Sequence, residues 1–121
     1  MNSKPVLIKA RINKGYHVRS LADSGCDCYA VIDEALVRRL RIPLVDSKRR
    51  QIWGFSGEIK EAISRGVAVF IVEVGGFDEC IFAYMVPQLG QDLFLGRPWM
   101  EKNHVVYDAP RRQLYHGFIF I

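Results

Sequence analysis

The chain has 121 residues, half of them hydrophobic and a quarter charged, and 17 basic against 13 acidic side chains give a net charge of +4. That balance suits a globular chain with a modest core and excludes a disordered one. No basic–apolar–small leader opens it and no apolar run reaches bilayer-spanning length, so it reads as a soluble cytoplasmic protein.

In chain order, Val6 to Ile12 reads as a strand and Asn13-Lys14-Gly15 as a turn. His17 to Ala22 returns as a second strand, which Asp23-Ser24-Gly25 breaks. Tyr29 to Ile32 is aromatic and β-branched, hence a third strand. Asp33 to Leu40 is a short helix with acids in its first turn and bases in its last, as the helix dipole favours, and Ile42-Pro43 closes it. Gln51 to Ile63 reads as two strand arms around a glycine-bearing tip, Trp53-Gly54-Phe55-Ser56-Gly57.

Val67 to Val74 and Phe77 to Val86 are long strands separated by Gly75-Gly76. Asp92 to Arg97 is an apolar strand ending in Gly96, and Pro98 opens a short helix through Lys102. Val105 to Tyr107, Arg112 to Tyr115 and the apolar Gly117 to Ile121 complete the pattern. Many short strands with one or two short helices, without repeat or linker, predict a single all-β domain over residues 1–121.

Three cysteines, Cys26, Cys28 and Cys80, are too few and too odd for a disulfide framework. Cys26-x-Cys28 lacks further ligands at metal spacing, and His17, His104 and His116 supply none, so no metal and no cofactor is expected. The thiols read as small buried or half-buried side chains. The basic clusters Arg38-Arg39, Lys48-Arg49-Arg50 and Arg111-Arg112 fall at a helix end and in expected turns, which argues for solvated surface over nucleic-acid binding.

Leu21-Ala22-Asp23-Ser24-Gly25 delivers a carboxylate from an apolar strand into a tight turn. Alone, Asp-Ser-Gly is an ordinary turn tripeptide. Two features accompany it: Asp92-Leu93-Phe94-Leu95-Gly96-Arg97 later in the chain, and the glycine hairpin Trp53 to Gly57 between them. In this order the sequence resembles the retropepsin family, the aspartic proteases of retroviruses and gypsy-type LTR retrotransposons. The closest phrases are Leu21 to Ile32 and Asp92 to Asp108. Ala22 and Cys26 depart from the family's usual residues but remain small and apolar.

The resemblance implies a homodimeric acid-protease barrel with Asp23 as the catalytic carboxylate. Ser24 would hold the two catalytic loops together, and Gly25 would admit the substrate backbone. Asp27 and Arg97 would form an ion pair behind the site, so that loss of either charge destabilises markedly. Trp53, Gly54, Phe55, Ser56 and Gly57 would be the flap over a bound peptide.

Peptide hydrolysis by this route needs two carboxylates sharing a proton, and the sequence holds one Asp-Ser-Gly. A symmetric dimer supplies the second, with the apolar segments Val6 to Ile12 and Gly117 to Ile121 as the joining sheet. The expected activity is an aspartic endopeptidase acting on a peptide or polyprotein, in the cytoplasm or within virus-like particles, with no membrane partner. The alternative is a non-catalytic dimerisation or peptide-binding module on the same fold. Further rivals are a cysteine hydrolase using Cys26 or Cys28 with His104, and a small basic barrel stacking nucleic acid on Trp53 and Phe55.

Overall fold

The structure, a computed structural model, describes residues 6–53, 61–108, 113–116 and 119–120, with side chains up to residue 105. Its elements are β1 (Val6–Ile12), β2 (Tyr16–Asp23), β3 (Ala30–Asp33), α1 (Glu34–Leu40), β4 (Leu44–Asp46), β5 (Arg50–Trp53) and β6 (Glu61–Ser64). They continue with β7 (Val67–Val74), β8 (Phe77–Val86), β9 (Leu93–Gly96), α2 (Arg97–Lys102), β10 (Val105–Asp108), β11 (Gln113–His116) and β12 (Ile119–Phe120).

Strands β1, β2, β9, β3, β8 and β7 pair in that order, and β7 returns to β1, which closes a six-stranded barrel. The sequence alternation drives the closure. Val6, Ile8, Ala10 and Ile12 of β1 point inward, as do Ala68, Phe70, Val72 and Val74 of β7. Burying one face of every strand against the others fills the interior with side chains. The helices lie outside: Leu36 and Val37 of α1, and Trp99 and Met100 of α2, join the same core.

The first hairpin turns through Asn13 and Lys14, both left-handed, with φ of 51° and 62°. Two such residues in succession match the right-handed strand twist. Asn13 also stitches the turn to β7: its amide donates to the Ile71 carbonyl at 2.8 Å, and its side-chain oxygen accepts from the Ile71 amide at 3.0 Å.

Strand β4 was not expected from the sequence. It is three residues long, its two hydrophobic residues are exposed, and it exists because β7 offers it a hydrogen-bonding edge. The two segments expected to join copies take these places within one chain. β1 sits inside the barrel, paired along its whole length with β2 and at Arg11 and Ile12 with β7. β12 pairs with β11 of its own chain, in a three-stranded sheet with β10.

A second apolar cluster forms outside the barrel from Cys26, Cys28, Val31, Ile52, Val86 and Leu89. It ties the loop after β2 to the β5–β6 hairpin. Near this cluster Glu34, buried at the start of α1, accepts from Arg38 at 2.9 Å and Arg65 at 3.2 Å. That pairing offsets the cost of burying its charge.

Candidate active site

Asp23 is the last residue of β2 and is 1% exposed. Strand β2 runs parallel to β9, which sets Asp23 beside Gly96 and Ala22 beside Leu95. The chain then turns: the Gly25 amide donates to Asp23 Oδ1 at 2.9 Å, and the Cys26 amide to the Asp23 carbonyl at 3.1 Å. The carboxylate therefore has a fixed orientation before any ligand arrives. Ser24 and Gly25 are half-buried beside it.

The loop rests on the end of β9. The Arg97 amide donates to the Cys26 carbonyl at 2.8 Å, and the Gly96 amide to the Tyr29 carbonyl at 3.0 Å. A Cβ at position 96 would lie 1.8 Å from the Cys28 carbonyl oxygen and 2.8 Å from that of Cys26. The φ of Gly96 is −89°, so close approach and not conformation demands glycine here. The two sequence motifs, seventy positions apart, thus form one packed unit.

Asp27 and Arg97 form an ion pair. Both side chains are half-exposed, at 56% and 50%, and Arg97 also reaches Glu101 Oε1 at 3.5 Å. The marked destabilisation expected from breaking a buried pair does not apply to this protomer, because water reaches both charges. Trp53 ends β5, is 61% exposed and accepts a weak hydrogen bond from the Cys28 thiol on its carbonyl, at 3.7 Å. The other expected flap residues, Gly54, Phe55, Ser56 and Gly57, lie outside the described residues.

Beside the loop opens a cleft of about 590 Å³. Asp27, Cys28, Tyr29 and Ala30 form one side, Gln51, Ile52 and Trp53 another, and Val67, Phe82 and Tyr84 the third. Apart from Asp27, Cys28 and Trp53, the sequence singled out none of these as site residues. The signal was present in β8, where residues facing both ways are apolar from Cys80 to Val86, so the strand carries an apolar surface outside the barrel core as well as inside it.

Cys26 and Cys28 are buried and Cys80 is exposed, so the expectation of buried or half-buried thiols fails at Cys80. The hydrogen bond that Cys26 donates to Cys28, reinforced by burial, pushes the Cys26 thiol well above its ordinary value. The same bond holds Cys28 below it. A buried thiol held in its protonated form is the reverse of an activated nucleophile, which disfavours Cys26 as a hydrolase centre. Among the described residues no three His, Cys, Asp or Glu side chains gather as a metal site, and no helix is long and apolar enough to cross a membrane.

The sequence pattern of the PEG10/RTL1 protease domain matches residues 19–114. The chain belongs to the PEG10/RTL1 protease domain family. This is a retropepsin-like family derived from a gypsy-type retrotransposon. The PEG10/RTL1-type domain has the fold of the retroviral protease-like domain of Ddi1 from Leishmania major, with a TM-score of 0.69 over 97% of this chain and 90% of that one. The two are 16% identical, so the likeness is one of fold. No curated relative matches the chain.

Proposed function

We propose that residues 1–121 are one protease domain that acts as a homodimeric aspartic endopeptidase, with Asp23 of two copies as the catalytic pair. The observation that carries this reading is the buried, pre-oriented Asp23 at a loop end, in a chain with one Asp-Ser-Gly. One such loop is half of a two-carboxylate machine, and a second copy completes it through a two-fold axis.

Two carboxylates a few ångströms apart share one proton. The ionised one takes a proton from water; the protonated one donates a hydrogen bond to the scissile carbonyl as negative charge grows there. The Gly25 amide keeps Asp23 aimed, so no reorientation is needed during the reaction. Ser24 would link the loops of the two copies, and Gly25, lacking a side chain, would let the substrate backbone pass close. Asp27 and Arg97 would brace the loop from behind. Trp53 to Gly57 would close over the peptide, whose side chains would enter the 590 Å³ cleft.

The family relationship supports a protease, and the apolar cleft beside the loop supports an extended peptide as substrate. Processing of a polyprotein by a cytoplasmic enzyme, within particles where the domain is made there, fits this reading.

Asp23→Asn keeps the size and the Gly25 hydrogen bond but removes the ionisable group. It is expected to abolish peptide cleavage while leaving the melting temperature and the sedimentation-measured dimer unchanged. Wild-type cleavage rates by the variant would overturn the assignment. So would a protein that stays monomeric at the concentrations at which it cleaves.

A further inference from the structure

Beyond the cleft the surface continues into a second groove of about 340 Å³, lined by Tyr29, Glu79, Cys80, Ile81, Phe82 and Lys102. Tyr29 and Phe82 line both spaces. One strand face joins them: Cys80, Phe82 and Tyr84 are alternate residues of β8 and point to the same side. Cys80 and Phe82 stand in the groove, Phe82 and Tyr84 in the cleft. That row spans about 13 Å, the length of four residues of extended chain.

The groove has a defined chemistry. Phe82 is 58% exposed in the middle of a long strand, a large apolar surface left open to water. At the far end Lys102 is 67% exposed, yet its ammonium is held by Glu79 Oε2 at 3.1 Å and lies 5.8 Å from the centre of the Tyr29 ring. Glu79 also accepts from the Tyr29 hydroxyl and from Asn103 Nδ2 at 3.1 Å, so its own charge is satisfied within the fold. A ligand therefore meets an apolar wall and then the exposed Lys102 ammonium, which keeps further N–H donors while paired with Glu79.

We propose that this groove is a distal substrate subsite, which takes a large apolar side chain against Phe82 and an acidic one at Lys102 from polypeptide leaving the cleft. The proposal rests on the endopeptidase reading for its orientation, since a two-fold dimer would repeat the groove at both ends of the cleft. Continuity with the cleft along one strand face identifies the occupant as more of the same chain and not a separate partner.

The test uses two peptides: eight residues centred on a Leu–Phe bond, and the same sequence extended at each end by about four residues containing Phe and Glu. Binding is followed by fluorescence anisotropy on the full chain carrying Asp23→Asn, and cleavage on the wild type. The long peptide is expected to bind about tenfold tighter. Cys80→Arg, which fills the groove, should reduce that preference to less than about twofold, and Lys102→Ala should lower it by about threefold. Replacing Glu by Lys in the extensions should weaken the long peptide by a similar factor.

Equal affinity for both peptides, or a preference that survives Cys80→Arg, would overturn the subsite. Cleavage without any length preference would remove the subsite and leave the endopeptidase. Length-dependent binding without cleavage by the wild type would keep the groove and remove the endopeptidase.

Discussion

Replacing Gly96 by Ala adds a single methyl group where the structure has no room for one. The new carbon would stand 1.8 Å from the Cys28 carbonyl oxygen, 2.8 Å from the Cys26 carbonyl oxygen and 3.0 Å from the Cys28 carbonyl carbon. All three are backbone atoms, so no side-chain rotation relieves the contact. Restoring ordinary separation requires the Cys26–Cys28 segment to rise from β9. The hydrogen bonds from Arg97 to Cys26 and from Gly96 to Tyr29 then stretch or break. Overpacking of this kind costs about 1–3 kcal/mol, and each backbone bond lost adds about 1 kcal/mol.

The expected loss is thus about 3–5 kcal/mol, a large share of the 5–15 kcal/mol typical of a domain. In a chain of this size that lowers the melting temperature by roughly 12 °C or more. Circular-dichroism melts measure the stability, and peptide cleavage reports whether Asp23 has kept its place. The control is Gly15→Ala in the first hairpin, where the nearest atom to the added carbon is 3.8 Å away. It should change stability by less than about 1 kcal/mol. If Gly96→Ala melted within a degree or two of the wild type and retained turnover, the packed unit of loop and β9 would not exist as described.

Asp27→Asn and Arg97→Ala should each cost less than about 1 kcal/mol in a urea titration, since both side chains of the pair are half-exposed; a loss of several kcal/mol would mean that a second copy covers them. For Glu79, burial works against ionisation, but hydrogen bonds from Tyr29, Lys102 and Asn103 outweigh it and hold the carboxyl below the usual glutamate range. A lowered folded-state value means stability that is present above about pH 4.3 and is lost as the pH falls further. The urea midpoint should therefore drop between about pH 5 and pH 3, and less so in Glu79→Gln; identical acid sensitivity of the two proteins would refute the linkage.

The parts of the fold that rest on long alternating runs were legible in the sequence. β7 and β8 have the predicted boundaries, because eight and ten residues of patterned hydrophobicity around Gly75-Gly76 admit one arrangement. The terminal pairing of β12 was not legible, since an apolar strand records that it needs a neighbour but not which one. Likewise β4 carries no signal of its own: Leu44 and Val45 face water, and the edge of β7 decides their conformation.

At the site, Asp23, Gly96 and Arg97 could be picked out by motif. Why Gly96 must be glycine could not, because the answer lies in carbonyl oxygens of residues seventy positions away. The exposure of the Asp27–Arg97 pair was hidden for the same reason. Whether water reaches a charge depends on everything folded around it.

The barrel is closed by unequal joints. β7 meets β8 over eight residue pairs but meets β1 over two, Arg11 with Glu73 and Ile12 with Val72, helped by the Arg11–Glu73 ion pair at 2.6 Å and the bonds from Asn13. Thermal breathing releases the least-fastened seam first. Hydrogen–deuterium exchange should find the amides of Asn13 and Ile71 trading with solvent well before those in the middle of the β7–β8 ladder. Each opening of that seam bares a strand edge, the kind of template on which another chain can add a strand.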